Sequence, residues 1–172
     1  GVLDLRSIGT ETTANLNYWF NGDFTIASGA TLNVFPDARS SVVSGAALTI
    51  AGNANFGTGS MLTFNQTSGS TLSQMIVNSS GTVTATGTTF TRSGFWIEQT
   101  RITVNNGGRL LPSGSRFDLP LYLHYSVIPS LSAAGGGADN ARFREIYING
   151  GTLPTGVLDL RSIGTETTAN LN

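Results

Sequence analysis

Apolar and polar residues alternate along most of this chain in short runs. In FTIASGATLNV, Phe24 and Ile26 share one face, and Leu32 and Val34 resume the pattern after a Gly turn. Leu48 with Ile50, Leu62 with Phe64, Val83 with Ala85, and Ile102 with Val104 repeat it. A period of two marks a strand with one buried side. The longest run, LPLYLHYSV, predicts a strand with Leu119, Leu121, Leu123, Tyr125 and Val127 on one face and Tyr122, His124 and Ser126 on the other. Ile146 and Ile148, then Leu158 and Leu160, carry the pattern on. The expected core is Phe24, Ile26, Leu32, Val34, Leu48, Ile50, Leu62, Phe64, Val83, Ile102, Val104, Leu121, Leu123, Ile146, Ile148 and Leu158.

The turns carry a second pattern. In SGATL (28–32), SGAAL (44–48), GSML (59–62), SGSTL (68–72), TGTTF (86–90) and SGSRF (113–117) an apolar residue follows Gly by three positions. NGGRL (106–110) and NGGTL (149–153) are variants. Gly at such a corner supplies a positive φ, after which the chain re-enters a strand with its apolar side chain inward. No segment of ten or more residues has capped helical spacing; FPDARSSVV and AAGGGADNARFREI are the expected sites of loops or short helical turns.

Residues 1–17, GVLDLRSIGTETTANLN, recur unchanged as residues 156–172, an offset of 156 − 1 = 155. Repeats are the first thing to seek in a sequence, because they dictate the architecture. The reading is one unit at 1–155, with 156–172 opening the next, so that both limits of the chain are edges within a longer array. The stretch LPTGVLDL reads as strand running through the boundary without a linker. Continuity of that kind favours stacked coils over separate modules. The expected fold is all-β, a right-handed parallel β-helix (β-solenoid), with β-sandwich repeats as the alternative. At about 20–30 residues per coil and about 4.8 Å per coil, one unit makes about five to eight coils and rises about 25–38 Å. The two seventeen-residue copies are expected to share backbone and register. No capping element is evident at either limit, so the unit is expected to receive the next one rather than to end the stack.

Composition narrows the chemistry. The chain has no Cys, which excludes disulfides and thiolate metal sites. Charged residues make up 11%, against about a quarter in ordinary domains. All basic residues are Arg, and the net charge of −1 gives no basis for binding nucleic acid. No apolar run reaches the ~20 residues of a membrane helix.

Catalysis requires converging groups, and the sequence offers few. His124 is the only His, so a metal site or triad built on it lacks partners. Asp4, Glu11, Asp23, Asp37, Glu98, Asp118, Asp139, Glu145, Asp159 and Glu166 are scattered, with no two paired in one strand; Asp4 and Arg6 read as an exposed same-face pair. GGGADN (135–140) matches a calcium-binding Gly–Asp repeat only once and reads as a loop. Aromatic clusters at Tyr18-Trp19-Phe20, Phe95-Trp96 and Tyr122/Tyr125 read mainly as core or inter-coil stacking, with sugar stacking as the functional alternative. Thr82, Thr84 and Thr86 would suit an ice-binding ladder only if threonines recurred on successive coils. Asn65 and Asn78 head glycosylation sequons. No catalytic, cofactor-binding or metal-binding residue is assigned, and no cofactor is expected.

FTIASGATLNV, SGAALTIAGNANF, NSSGTVTATGTTFT and INGGTLPTGVLDL resemble the repeat arrays of large secreted bacterial surface proteins with parallel β-helix folds, adhesin-like proteins among them. The resemblance spans most of residues 20–160 and implies an extracellular or cell-surface location. It also implies a structural role as a repeat of a fibre, stalk or surface filament, partnered by neighbouring identical repeats. The alternative role is a carbohydrate- or cell-binding adhesin module. Some β-helices are polysaccharide-active enzymes, but the expectation here is of no enzymatic activity.

Overall fold

The computed structural model describes residues 1–8, 16–67, 71–94, 100–131, 140–153, 155–160 and 163–164. The chain is a parallel β-solenoid whose strands form three columns. Face 1 is a five-stranded sheet of β1 (Val2–Leu5), β4 (Thr31–Val34), β7 (Asn53–Phe56), β10 (Thr82–Thr86) and β13 (Arg109–Ser113). Face 2 stacks β2 (Asn17–Phe20), β5 (Arg39–Val42), β8 (Met61–Asn65) and β11 (Thr89–Ser93). Face 3 stacks β3 (Phe24–Ile26), β6 (Ala47–Ile50), β9 (Ser73–Val77) and β12 (Thr100–Val104). The long β14 (Arg116–Leu123) joins the last two faces into one sheet, pairing with β11 at Arg116 and Phe117 and with β12 at Leu121 to Leu123. β15 (Arg142–Ile148) lies on β14 across both faces. The solenoid therefore has five full levels and a sixth that continues faces 2 and 3. All pairing is parallel, and no sandwich is present among the described residues.

Six of the glycine corners behave as the sequence predicts; in SGSTL, Gly69 lies outside the described residues and Leu72 is half-buried. Gly29, Gly45, Gly59, Gly87, Gly107 and Gly114 all have positive φ. The apolar residues three positions later, Leu32, Leu48, Leu62, Phe90, Leu110 and Phe117, are fully buried. NGGTL departs from the rule: Gly150 is not at positive φ, and Leu153 is exposed.

The core is a set of axial rows, each adding one side chain per level. Leu3, Leu32, Ala54, Val83 and Leu110 form one on face 1. Phe24, Leu48, Met75, Ile102, Leu121 and Ile146 form another on face 3, beside Ile26, Ile50, Val77, Val104, Leu123 and Ile148. On face 2, Phe90, Phe117 and Phe143 stack nearly parallel, with centroids 4.9 and 5.3 Å apart. Most of the expected core is buried. The exceptions are Phe24, Ile146, Ile148 and Leu158. The first three belong to inner rows but occupy the first or last level, where one neighbour is missing.

Several expectations need correction. FPDARSSVV, expected as a loop or short helical turn, turns at Pro36 and Asp37 but then forms β5 (Arg39–Val42). The run LPLYLHYSV is not one strand: β14 ends at Leu123, and Tyr125–Leu131 is a 3-10 helix with Val127, Ile128 and Leu131 buried. Val127, Ile128 and Leu131 are spaced to share a helical face, which the apparent alternation through Tyr125 and Val127 conceals. That helix is also a cap, contrary to the expectation of none: it packs on β13, and the Ser130 hydroxyl lies 2.6 Å from the Leu110 carbonyl oxygen. Finally, ARFREI, expected as loop or helical turn, forms β15, whereas Asn149–Leu153 and Val157–Leu160 lie outside strands. The two copies of VLDL thus differ, since Val2–Leu5 has β4 to pair with, while β13 is already covered by the helix. The remainder of the second copy is largely outside the described residues.

Candidate functional site

The functional surfaces of a solenoid are its outer faces and its two ends. On face 1 the outward rows are Val2, Thr31, Asn53, Thr82, Arg109 and Asp4, Asn33, Asn55, Thr84, Leu111. Along the second row the Asn55 amide donates to Asn33 Oδ1 at 2.9 Å and the Asn33 amide donates to Asp4 Oδ1 at 2.8 Å. These bonds span turns of 22 and 29 residues. Asp4 also accepts from Arg6 at 3.1 Å, so the expected same-face pair forms. The Asn33 hydrogen bond, then Arg6, hold the Asp4 carboxyl below its ordinary pKa. Arg6 caps the Phe35 ring at 3.8 Å. Thr82 and Thr84 are flanked by Asn53, Arg109, Asn55 and Leu111, so no threonine ladder exists there.

On face 2, Asp118 joins two levels: Arg116 Nε lies 2.8 Å from one carboxylate oxygen and Arg142 Nε 3.3 Å from the other. On face 3 the Tyr122 and Tyr147 rings stack with centroids 4.6 Å apart, and the Arg101 guanidinium lies 5.0 Å from the Tyr122 centroid. Arg101 Nε donates to Gln74 Oε1 at 3.4 Å, and Tyr147 donates to Glu145 at 3.2 Å. The Arg142–Asp118, Tyr122–Tyr147, Arg101–Tyr122 and Arg101–Gln74 contacts link different coils, whereas Arg116–Asp118 and Tyr147–Glu145 lie each within one strand.

The singled-out residues fall as follows. His124 stands just before the 3-10 helix, its Nδ1 2.8 Å from the Ser126 hydroxyl and its ring against Tyr125. Asp4, Asp118 and Glu145 engage Asn, Arg or Tyr partners, and Asp23 Oδ1 accepts the Ala47 amide at 2.9 Å. No three His, Asp or Glu residues gather as a metal site among the described residues. Glu11, Glu98, Asp139, Glu166, Phe95 and Trp96 lie outside the described residues. Of GGGADN only Asn140 is described; it is buried, its Oδ1 accepting the Ser115 amide at 3.0 Å and its amide donating to the Leu131 carbonyl at 3.0 Å. Asn65 Oδ1 accepts from the Ser93 hydroxyl and Asn78 Oδ1 from the Asn105 amide, so both sequon side chains engage the neighbouring coil. No helix among the described residues is long and apolar enough to cross a membrane.

Sequence reading missed the Asp4–Asn33–Asn55 ladder and the Tyr122–Tyr147 stack. Each rests on which turn lies above which, and turns of 22 to 29 residues do not announce that alignment.

The two ends are unlike. The first level exposes Trp19 (56% exposed) and Phe24 (38%). The last exposes Tyr147 and Ile148 (43%) along β15. No family model, curated protein or solved structure matches the chain.

Proposed function

We propose that this chain is a structural repeat of an extracellular or cell-surface fibre, stalk or filament built of tandem identical units, and that it is not an enzyme. The observation carrying this reading is the exact recurrence of residues 1–17 at 156–172, immediately beyond the last level of a solenoid. A solenoid gains stability by adding neighbours, so duplicating a unit lengthens it without a new fold. The outer-face side chains support the same role, because their hydrogen bonds and ring contacts run along the axis and stiffen the stack. Imaging the native protein tests the proposal: thin, straight filaments or stalks are expected, and compact particles would overturn it.

One observation favours a second reading, an adhesive module gripping carbohydrate: Trp19 projects from the first level, and an open indole face is a stacking surface for sugars. Tyr122 and Tyr147 are less suited, since they cover one another. A glycan-binding screen with wild type and Trp19→Ala separates the readings; Trp19-dependent binding would establish the adhesive one.

A further inference from the structure

On face 2 the row Tyr18, Ser40, Leu62, Phe90, Phe117, Phe143, and on face 3 the rows that begin at Phe24 and Ile26, run unbroken through all six levels and stop at two edges. Inside the stack their members are fully buried, whereas Phe24 and Ile148, at opposite ends, are about two-fifths exposed. The outward rows stop likewise: Asn17, Arg39, Met61, Thr89, Arg116, Arg142 on face 2, and Thr25, Thr49, Ile76, Thr103, Tyr122, Tyr147 on face 3. Beyond β15, at Gly156, the sequence of the first level begins again. The side chains that begin each row are therefore those due next after β15.

We propose that the β15 edge binds the β2–β3 edge of a second copy of this unit, placing Ile146 on the partner copy's Phe24, Ile148 on its Ile26, Tyr147 on its Thr25 and Arg142 on its Asn17. This inference rests on the fibre reading and specifies its joint. Face 1 joins differently. There the 3-10 helix occupies the sixth level, with Val127 and Leu131 buried, and its outer side meets β1, whose inner-row Leu3 is 38% exposed. Faces 2 and 3 continue through the joint by main-chain pairing, and face 1 restarts in every unit. An unpaired strand edge is a template for another strand. The contact is heterologous, joining unlike ends, so it propagates into an open filament unless its rotation closes a ring.

Cysteine cross-linking of the 172-residue chain tests the joint, since the chain has no Cys of its own. In the proposed register, positions 25 and 147 of successive copies stand on adjacent strands about 4.8 Å apart, within the span of a disulfide. Within one copy they are five levels, about 24 Å, apart and cannot meet. T25C/Y147C at high protein concentration under mild oxidation is expected to give a ladder of covalent trimers and longer multimers, while each single variant stops at dimers. N17C/R142C repeats the test on face 2 without disturbing the tyrosine stack. Absence of a ladder from both pairs overturns the joint. Images of the native protein separate this failure from that of the fibre reading: filaments without a ladder mean that units join elsewhere, and compact particles mean that neither proposal holds.

Discussion

The Ser130 hydroxyl lies 2.6 Å from the carbonyl oxygen of Leu110, joining the 3-10 helix to the last strand of face 1. The carbonyl belongs to a sheet edge that would otherwise be open, and the Val127 carbonyl, 2.7 Å away, is a second acceptor for the same hydroxyl. Ser130→Ala removes the donor but leaves Val127 and Leu131 packed. We expect a loss of about 1 kcal/mol, read as a lowered urea midpoint, with faster amide exchange confined to the helix and β13. A uniform loss of protection throughout the solenoid would contradict a local capping role.

Phe117 is stacked between Phe90 and Phe143 and is fully buried. Phe117→Ala is expected to cost about 3–5 kcal/mol, because the rigid sheets on either side limit collapse of the cavity. Phe117→Leu should cost less, losing chiefly the ring–ring geometry, worth about 0.5–1.5 kcal/mol per aromatic pair. Thermal unfolding of the two variants orders them; equal midpoints would show that the stack contributes nothing beyond its area.

Gly81 sits at a corner where an added Cβ would stand 2.1 Å from the Ile50 carbonyl oxygen of the coil beneath. Gly150 has nothing within 4 Å of that position. Gly81→Ala is therefore expected to destabilise by about 1–3 kcal/mol, and Gly150→Ala to be close to neutral. Chemical denaturation of both variants makes the comparison; similar losses at both sites would refute the close-approach argument.

The Asp4 carboxyl is held below its ordinary pKa by Asn33 first and Arg6 second. A depressed carboxylate stabilises the fold fully above its unfolded pKa, and the contribution disappears as pH falls through the folded value. The first two levels should thus loosen in acid, and Asp4→Asn should remove that part of the pH dependence. The group is exposed at the surface, so the effect is small and best read by NMR titration of the Asp4 and Asn33 side chains. An Asp4 titration at or above the ordinary carboxylate value would contradict the ladder.

Much of the fold was legible because two signals were independent. Alternation at Leu48–Ile50 or Ile102–Val104 identified inward residues, and the Gly-to-apolar spacing identified where each strand resumed. The 3-10 helix was not legible as such, because Tyr125 and Val127 continue the alternation of Leu121 and Leu123 while Val127, Ile128 and Leu131 obey a different geometry. β15 was obscured by the Arg and Glu residues in RFREI, which suit its half-exposed edge. The outer ladders were hidden by variable turn length: Asn33 and Asn55 meet only once a turn of 22 residues is known. The recurrence of residues 1–17 was fully legible, but for the described VLDL segments sequence identity did not predict identical backbone, since strand structure requires a partner strand and of these two segments only Val2–Leu5 has one.

The most direct test of the tandem solenoid is the axial repeat of the native protein, measured from averaged electron micrographs or fibre diffraction. Six levels at about 4.8 Å predict a unit rise of about 29 Å, with a strong axial spacing near 4.8 Å from the parallel coils. A rise under about 15 Å, or copies related by a lateral shift rather than an axial one, would contradict the account.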